Sequence, residues 1–579
     1  MKNDDITYAD LNGNICHKIL VNGQQTAYAQ HIISISTSAA FDRISVLEII
    51  LSNWLPGEEE YISDTANFPM NAEIEVWVGY DEPSHKIFKG YINEMTVSDL
   101  CAILTIKARH AADRMDDVRK LRSFENMSDD EIVNDICDEY GIEYDNTGNP
   151  AANKHLGLMQ YNCTDWDFIN MRAEASGRMV LTTPEGITVK KICTRKDLES
   201  KAALDIINGY NVHGINAEIN TKYAHRAYQG EAYNTSEQDT ENSTSSEGQA
   251  SQSEENKSAD EQRTLLSMSS QEDAYDLEAY VDAYSLRNDL AFLKGKLEII
   301  GYAPLAPGDI VRLCKMSKGF NGKVMVSSVV HAISAGKWST HLDIGYEITS
   351  YIERHPDVVA PSSMGSLPGV NGLQIAKVEA LKGENGDPSG EEKICVRLMN
   401  ASRAKIWARV ATLDAGNMRG SFFLPEINDE VIVGFVDNNP TQAVILGMMH
   451  SSKARPPLEI TDENHVKGFF SRENIQLLFD DEKKALSIIT PGNNRLIMSD
   501  EEKGIVLEDQ HGNTVVMNDQ GITVESQKAL TIKTAQDINM EANNINIKAK
   551  AELKAQGTSA AEFSSAGNTV LKGGIVQIN

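Results

Sequence analysis

From Gly504 onward the chain repeats one short pattern: an apolar residue, any residue, a second apolar residue, then a polar spacer. Ile505 and Leu507, Val515 and Met517, Ile522 and Val524, Leu530 and Ile532, Ile538 and Met540, and Ile545 and Ile547 form such triplets, and Leu553 continues the series. Alternation within a triplet is the period of a strand that buries one face. The spacers, such as Thr534-Ala535-Gln536-Asp537 and Glu541-Ala542-Asn543-Asn544, carry the residues that turn a chain. Strands this short cannot bury a core alone, so the units must stack. A left-handed β-helix within one chain keeps a strict hexapeptide unit, whereas these triplets restart every seven to ten residues. A prism in which each of three chains supplies one edge per level accommodates that spacing. The expectation for residues 459–579 is therefore an intertwined trimeric β-helix, a needle. Its core is Ile522, Val524, Leu530, Ile532, Ile538, Met540, Ile545, Ile547 and Leu553, because one chain alone would hold that ladder in water. The competing reading is an antiparallel meander, which requires hairpin signals and longer strands.

Upstream, the pattern predicts many short strands over residues 1–114: Lys18 to Val21, Val46 to Leu51, Ile74 to Val78, Lys86 to Ile92 and Ala102 to Ala108, parted by Asn22-Gly23 and Pro56-Gly57 turns. This reads as a β-barrel. Residues 115–230 read as an α/β insertion. Ser128 and Glu131 make a capping box for a helix running to Tyr140 and stopping at Gly141. A second helix opens at Thr164-Asp165 and ends near Gly177, and a hairpin pairs Arg178 to Thr182 with Ile187 to Lys191. Residues 231–265 hold mostly Ser, Glu, Gln, Thr and Asn and predict a flexible acidic loop. A helix over Leu277 to Leu293 and a second β-barrel fill 266–358, a Pro/Ser/Gly linker 359–370, and five strands 371–458, the number of a small OB-type barrel. The fold class expected is mainly β and multidomain.

At 579 residues the chain is too long for one core. A net charge of −30 repels phosphate backbones, so a nucleic-acid partner is not expected even for an OB-type barrel. The seven cysteines are scattered without paired or metal-ligand spacing and read as reduced thiols. The start, Met1-Lys2-Asn3-Asp4-Asp5, lacks a secretory pattern, and no apolar run is long enough to span a bilayer. The expectation is a protein made in the cytoplasm without a signal peptide.

Five stretches taken together carry a resemblance: Trp407-Ala408-Arg409-Val410, Gly420-Ser421-Phe422-Phe423-Leu424-Pro425-Glu426, Asp429 to Phe435, Asn438-Asn439-Pro440 and Val444-Ile445-Leu446-Gly447. In that order they are similar to the OB-type domain of the VgrG family, the spikes of type VI secretion and other contractile injection systems, which resemble a phage tail hub with its puncturing needle. Asp167-Phe168-Ile169 with Arg172, Glu174 and Gly177, and Pro307 to Val311, match less specifically. Two places depart from the pattern. The acidic loop is one. The other is Ala411 to Arg419, where the family carries a tryptophan-rich run. The resemblance implies a homotrimer whose N-terminal halves form a hub on an inner-tube (Hcp-like) ring, within a baseplate. It implies effectors and their adaptors as cargo, contact with a target membrane only during piercing, and release to the exterior or into a target cell on contraction. It also places a PAAR-like cap on a tip made of Gly573, Gly574, Ile575, Val576, Ile578 and Asn579.

No catalytic, cofactor or metal site is expected. The histidines form no HExxH cluster and no phosphate-binding glycine loop occurs. Ser402-Arg403-Ala404-Lys405 has the spacing of some acyl-transfer enzymes but leads into a strand without their partner motifs. Too few residues lie between Gly447 and Phe469 for an enzyme module, and none is expected after Asn579. The alternative is a β-helical tailspike that cleaves surface polysaccharide with a carboxylate pair drawn from Glu525, Asp537 and Glu541. Carboxylates at the corners of a repeat are more often solvated.

Overall fold

A computed structural model describes residues 13–55, 60–146, 154–155, 157–192, 202–223, 228–234, 237–244, 264–268, 277–317, 319–382, 386–399 and 404–578. The strands expected in the first block form as Ile15–Val21, Arg43–Ser52, Glu73–Tyr80, His85–Ser98 and Ile103–Arg109. Alternate side chains, among them Leu47, Ile49, Leu51, Leu104 and Ile106, are fully buried in one core. One further strand, Ile32–Ala40, is assembled from Ser, Thr, Ala and Ile, so its sequence shows little apolar alternation. This strand alters the expected architecture. It pairs with Gly322–Ser334 from Ala40↔Ser328 to Ser34↔Ser334, and so joins both strand-rich blocks in one sheet of thirteen strands. The blocks are not two separate sheets. Each keeps its own core, the second gathered around Ile206, Leu297, Val311, Val326 and Leu342.

The boundary of the α/β part also moves. Leu204–Ile207 runs parallel to Ile310–Cys314, and Val212–Ile219 pairs with Leu293–Ile300. Residues 204–219 therefore belong to the second block's sheet and not to the insertion. The insertion itself forms as expected from its signals. Ser128 Oγ accepts from the Glu131 amide at 3.2 Å and Glu131 Oε2 accepts from the Ser128 amide at 2.8 Å. The helix Asp129–Tyr140 they cap ends at Gly141 with φ +66°, a conformation that glycine adopts without strain. Helix Asp165–Ala175 starts from the Thr164 cap. Its polar residues sort by partner: Arg172 pairs with Asp129 at 2.9 Å, Glu174 pairs with buried Arg287 and accepts from the Tyr351 amide at 2.5 Å, and Asp167 accepts from the Tyr351 hydroxyl at 3.0 Å. Beside them Asp130 takes Arg178 at 2.8 Å. Buried charges persist only when paired in this way.

The acidic segment is a correction. Residues 231–234 and 239–244 are strands and not a loop: Tyr228–Asn234 pairs with Asp239–Thr244 on one side and with Thr264–Met268 on the other. Tyr228 and Ala232 are buried against Leu277 and Val281 of helix Leu277–Leu290. Those aromatic and small residues supply the apolar face that the surrounding composition conceals. Residues 245–263 lie outside the described residues.

The small barrel closes from Gln374–Ala380, Ile394–Leu398, Lys405–Val410, Ala443–Met448 and Glu430–Phe435, in that order around the ring. Its interior holds Ala376, Val378, Val396, Ala408, Val431, Val433 and Ile445, all fully buried.

The C-terminal region corrects the other expectation. Seven strands, Val466–Phe470, Gln476–Asp480, Ala485–Ile489, Arg495–Ser499, Gly504–Glu508, Thr514–Asn518 and Gly521–Glu525, make an antiparallel meander within one chain. The triplets through Val524 thus sit in hairpins, not in a three-chain β-helix. Each strand has five residues, because the flanking polar positions join the ladder. The turns are closed by residues at positive φ, such as Asn493 at +62° and Gly512 at +80°.

Candidate functional site

The meander has two unlike faces, and strand register fixes which residues lie on each. Phe469 stands opposite Leu477, and the row continues through Ile488, Leu496, Leu507 and Val515 to Val524. A second row on the same face runs from Phe479 through Leu486, Met498, Ile505 and Met517 to Ile522. Every position named in these two rows is apolar, and the second row's place on the first strand, opposite Phe479, is Lys467. The opposite face carries a single central row, Leu478, Ser487, Ile497, Val506, Val516 and Thr523. Polar strand ends border that row, including Arg495, which donates to Glu508 at 2.9 Å. A sheet of this kind needs cover over the apolar face, yet within the chain Leu507 is 52% exposed and Ile522 69%.

The turns along one edge are tied to each other by side-chain amides. Asn494 Oδ1 accepts from the Gln510 amide at 3.1 Å, Asn513 donates to Asp509 at 2.7 Å, and Asn513 Oδ1 accepts from the Gln527 amide at 2.9 Å. The Asn513 side chain, with backbone amides behind it, holds the Asp509 carboxyl below its ordinary range. These bonds fix the edge without using the apolar face.

Past Glu525 no strand is assigned among the described residues. Leu530, Ile532, Ile538, Met540, Ile545, Ile547 and Leu553 are all exposed by more than half. Of the core residues expected from sequence, only Ile522 and Val524 lie in a strand of this chain. The tip residues Gly573, Gly574, Ile575, Val576 and Ile578 are exposed as well, and Asn579 is outside the described residues. The expected core list omits Phe469, Leu477, Phe479, Leu486, Ile488, Leu496 and Met498, although Ile475 to Phe479 and Ala485 to Thr490 read from sequence as hairpin-like pieces and form the strands Gln476–Asp480 and Ala485–Ile489. Their signal was the same apolar-x-apolar triplet, repeated in Leu477/Phe479, Leu486/Ile488 and Leu496/Met498.

Glu525, Asp537 and Glu541 are each exposed. Ser402 lies outside the described residues, as does Cys193, while the other cysteines are free thiols. Among the described residues no group of three or more His, Cys, Asp or Glu side chains is placed to hold a metal.

Comparison with known proteins bears on each of these parts. Residues 375–450 match the family model described as the type VI secretion system/phage-baseplate injector OB domain. Residues 486–554 match the phage baseplate V C-terminal trimerisation domain, which overlaps the apolar face. Residues 12–335, more than half of the chain, match the Alg8 N-terminal domain. Among curated proteins, the type VI secretion system spike protein VgrG1b of Pseudomonas aeruginosa is 31% identical over 114 residues, 19% of this chain and 15% of its own length. VgrG1a of the same organism is 30% identical over 114 residues, 19% of this chain and 18% of its own length. The chain thus matches less than a fifth of the length of these relatives. Among solved structures, the 43 kDa tail protein of prophage MuSo2 from Shewanella oneidensis aligns with TM-score 0.44 and 11% identity, over 57% of this chain and 98% of that one. A type VI secretion component of Escherichia coli aligns with TM-score 0.38 and 13% identity, over 75% of this chain and all of that one.

A barrel of the injector OB type followed by a trimerisation domain defines the class as a baseplate spike. Through residues 12–335 the chain belongs to the Alg8 N-terminal domain family, and over its OB-type barrel and C-terminal region it is similar to the VgrG-family spike proteins.

Proposed function

We propose that the protein is a homotrimeric, non-enzymatic spike at the tip of a contractile injection apparatus. The observation that carries this reading is the unbroken apolar face of residues 469–524, left in water by a single chain. Three such sheets turned inward make a prism with a dry interior, and the triplets from Leu530 to Leu553 continue it as an intertwined β-helix in which each chain supplies one edge. The thirteen-stranded sheets of three N-terminal halves form the hub, with two barrel-like lobes per chain, on an inner-tube ring within the baseplate. The exposed Gly573 to Ile578 segment receives a PAAR-like cap. Contraction drives the point through a target envelope and delivers effectors. The chain is assembled in the cytoplasm and leaves it on firing.

The mechanism is mechanical. Extracting one chain from a three-way wrap breaks many levels together, so the needle transmits force without unravelling. The test is the native mass of the full-length protein at micromolar concentration. A trimer that survives mild denaturant is expected, and a monomer removes the reading.

A further inference from the structure

Within the two rows of the sheet's apolar face one position is charged. Lys467 stands opposite Phe479, and alternation along Val466–Phe470 turns it to the same side as Phe469. Its ammonium pairs with the Asp481 carboxylate and donates to the Asn464 carbonyl at 2.9 Å. Asp481 lies two positions past Phe479 and lines one groove with Phe479, Leu486, Met498 and Ile505 of the second row. The pair therefore sits on the apolar side of the sheet, at the level of its first two strands, and both side chains are more than half exposed within the chain. Lys467 holds the Asp481 carboxyl below its ordinary range, so both groups carry charge.

The apolar rows do not by themselves define where two copies meet. A copy displaced along the face by two strands sets its Leu477 at the level of another's Leu496 and its Leu486 at that of Ile505. Like replaces like, and little contact is lost. The charged pair does not exchange in this way. The same displacement carries Lys467 to the level of Leu486 and Ile488, where both charges give up water against hydrocarbon, a cost that can exceed the attraction within the pair. Only with the copies aligned do three such pairs share one level, each facing the charges of the others.

The partner at this level is a second copy of the chain, because residues 486–524 of the same face lie within the match to a trimerisation domain. We infer that Lys467 and Asp481 are the register lock of the assembled spike, a ring of three pairs each in contact with another copy of this chain. A single polar element on an apolar interface fixes alignment in this way at some cost in stability. The lock acts at the first two strands, ahead of the near-identical triplets that follow Glu525. The inference rests on the trimeric reading.

The experiment uses purified full-length protein and the variants Lys467→Met, Asp481→Leu and the two combined. Each single variant leaves one charge stranded between copies, and labelled chains are expected to exchange subunits at least about tenfold faster than the parent. The double variant removes both charges and is expected to return exchange to within about threefold of the parent, while losing its single level. That loss is read with a benzophenone side chain at position 498. In the parent, irradiation is expected to give adducts confined to residues 486–505 of another copy, and in the double variant adducts at residues 469–479 and 515–524 as well. Parent-like exchange in both single variants means that the pair stays in water, which overturns the lock and leaves a trimeric parent standing. Adducts that remain confined in the double variant overturn its role in alignment. A parent with a monomeric native mass overturns the lock and the trimeric reading together.

Discussion

Replacing Leu507 by Asp tests the apolar face at its centre, between Leu496 and Val515. Nine side chains of the face, from Phe469 to Val524, remain 37–69% exposed in the single chain. Burying the rest of each contributes about 1 kcal/mol, half the usual value for a large apolar side chain, which gives about 9 kcal/mol per chain and about 27 kcal/mol per trimer. Against this stands a cost of about 4–15 kcal/mol for each chain immobilised. The margin is narrow enough for one position to decide assembly. Leu507→Asp removes about 1 kcal/mol of burial from each copy and sets three carboxylates at one level of a dry interior. At even about 3 kcal/mol apiece for desolvation or forced protonation, the total is about 12 kcal/mol, comparable to the whole association energy of a nanomolar complex. Sedimentation at micromolar concentration should show the variant as monomer. Thr523→Asp, on the opposite face and already exposed, should stay trimeric with a change within about 0.5 kcal/mol. A Leu507→Asp protein that remains trimeric with the parent's dissociation midpoint refutes the inward-facing sheet.

Other parts of the molecule make further predictions. Burial lowers both His331 and His110 from 6.5 to about 4 in the folded state. The unfolded chain then takes up protons first as pH falls, so the contribution of these two groups to stability is complete above about pH 6.5, declines toward pH 4 and is gone below it. Each histidine accounts for about 3 kcal/mol, and His331→Phe should flatten part of the slope in denaturant titrations across that window. Arg287→Met strands the buried Glu174 carboxylate and should cost about 3–5 kcal/mol, read as a lowered melting transition. Ser128→Ala removes one half of the capping box and should cost about 1 kcal/mol in the same measurement.

Legibility followed the strength of local signals. The helix from Asp129 to Tyr140 was readable to the residue because Ser128, Glu131 and Gly141 each perform a specific backbone task. The small barrel was readable because short apolar runs, such as Ile394–Leu398 and Glu430–Phe435, are parted by polar and glycine- or proline-bearing connections. The strand Ile32–Ala40 was not, since Ser36, Thr37 and Ala40 meet close neighbours through small side chains and leave no apolar period. The strand Asp239–Thr244 was hidden for a different reason. Its own residues are polar and mostly exposed, and it is held by its neighbour's pairing, which composition does not report. In the C-terminal region the triplets were seen but their partners were mistaken. A pattern of period two states which residues share a face, and the turn geometry decides whether the next strand comes from the same chain.

That distinction gives the hairpins a purpose in a trimer. Triplets of near-identical pattern, such as Leu530/Ile532 and Ile538/Met540, offer many registers to a neighbouring chain, and a slip by one unit sacrifices little apolar contact. The meander from Val466 to Glu525 lacks that freedom, because its turns tie each strand to the next before any second chain arrives. Three preformed sheets meeting through Phe479, Met498 and Ile505 would align the chains at one level. The segments beyond Glu525 would then enter the three-chain wrap from that fixed end. Hydrogen exchange during assembly should accordingly protect residues 476–518 first and residues 530–553 only once the trimer exists. Simultaneous protection in both would mean that the hairpins do not set the register.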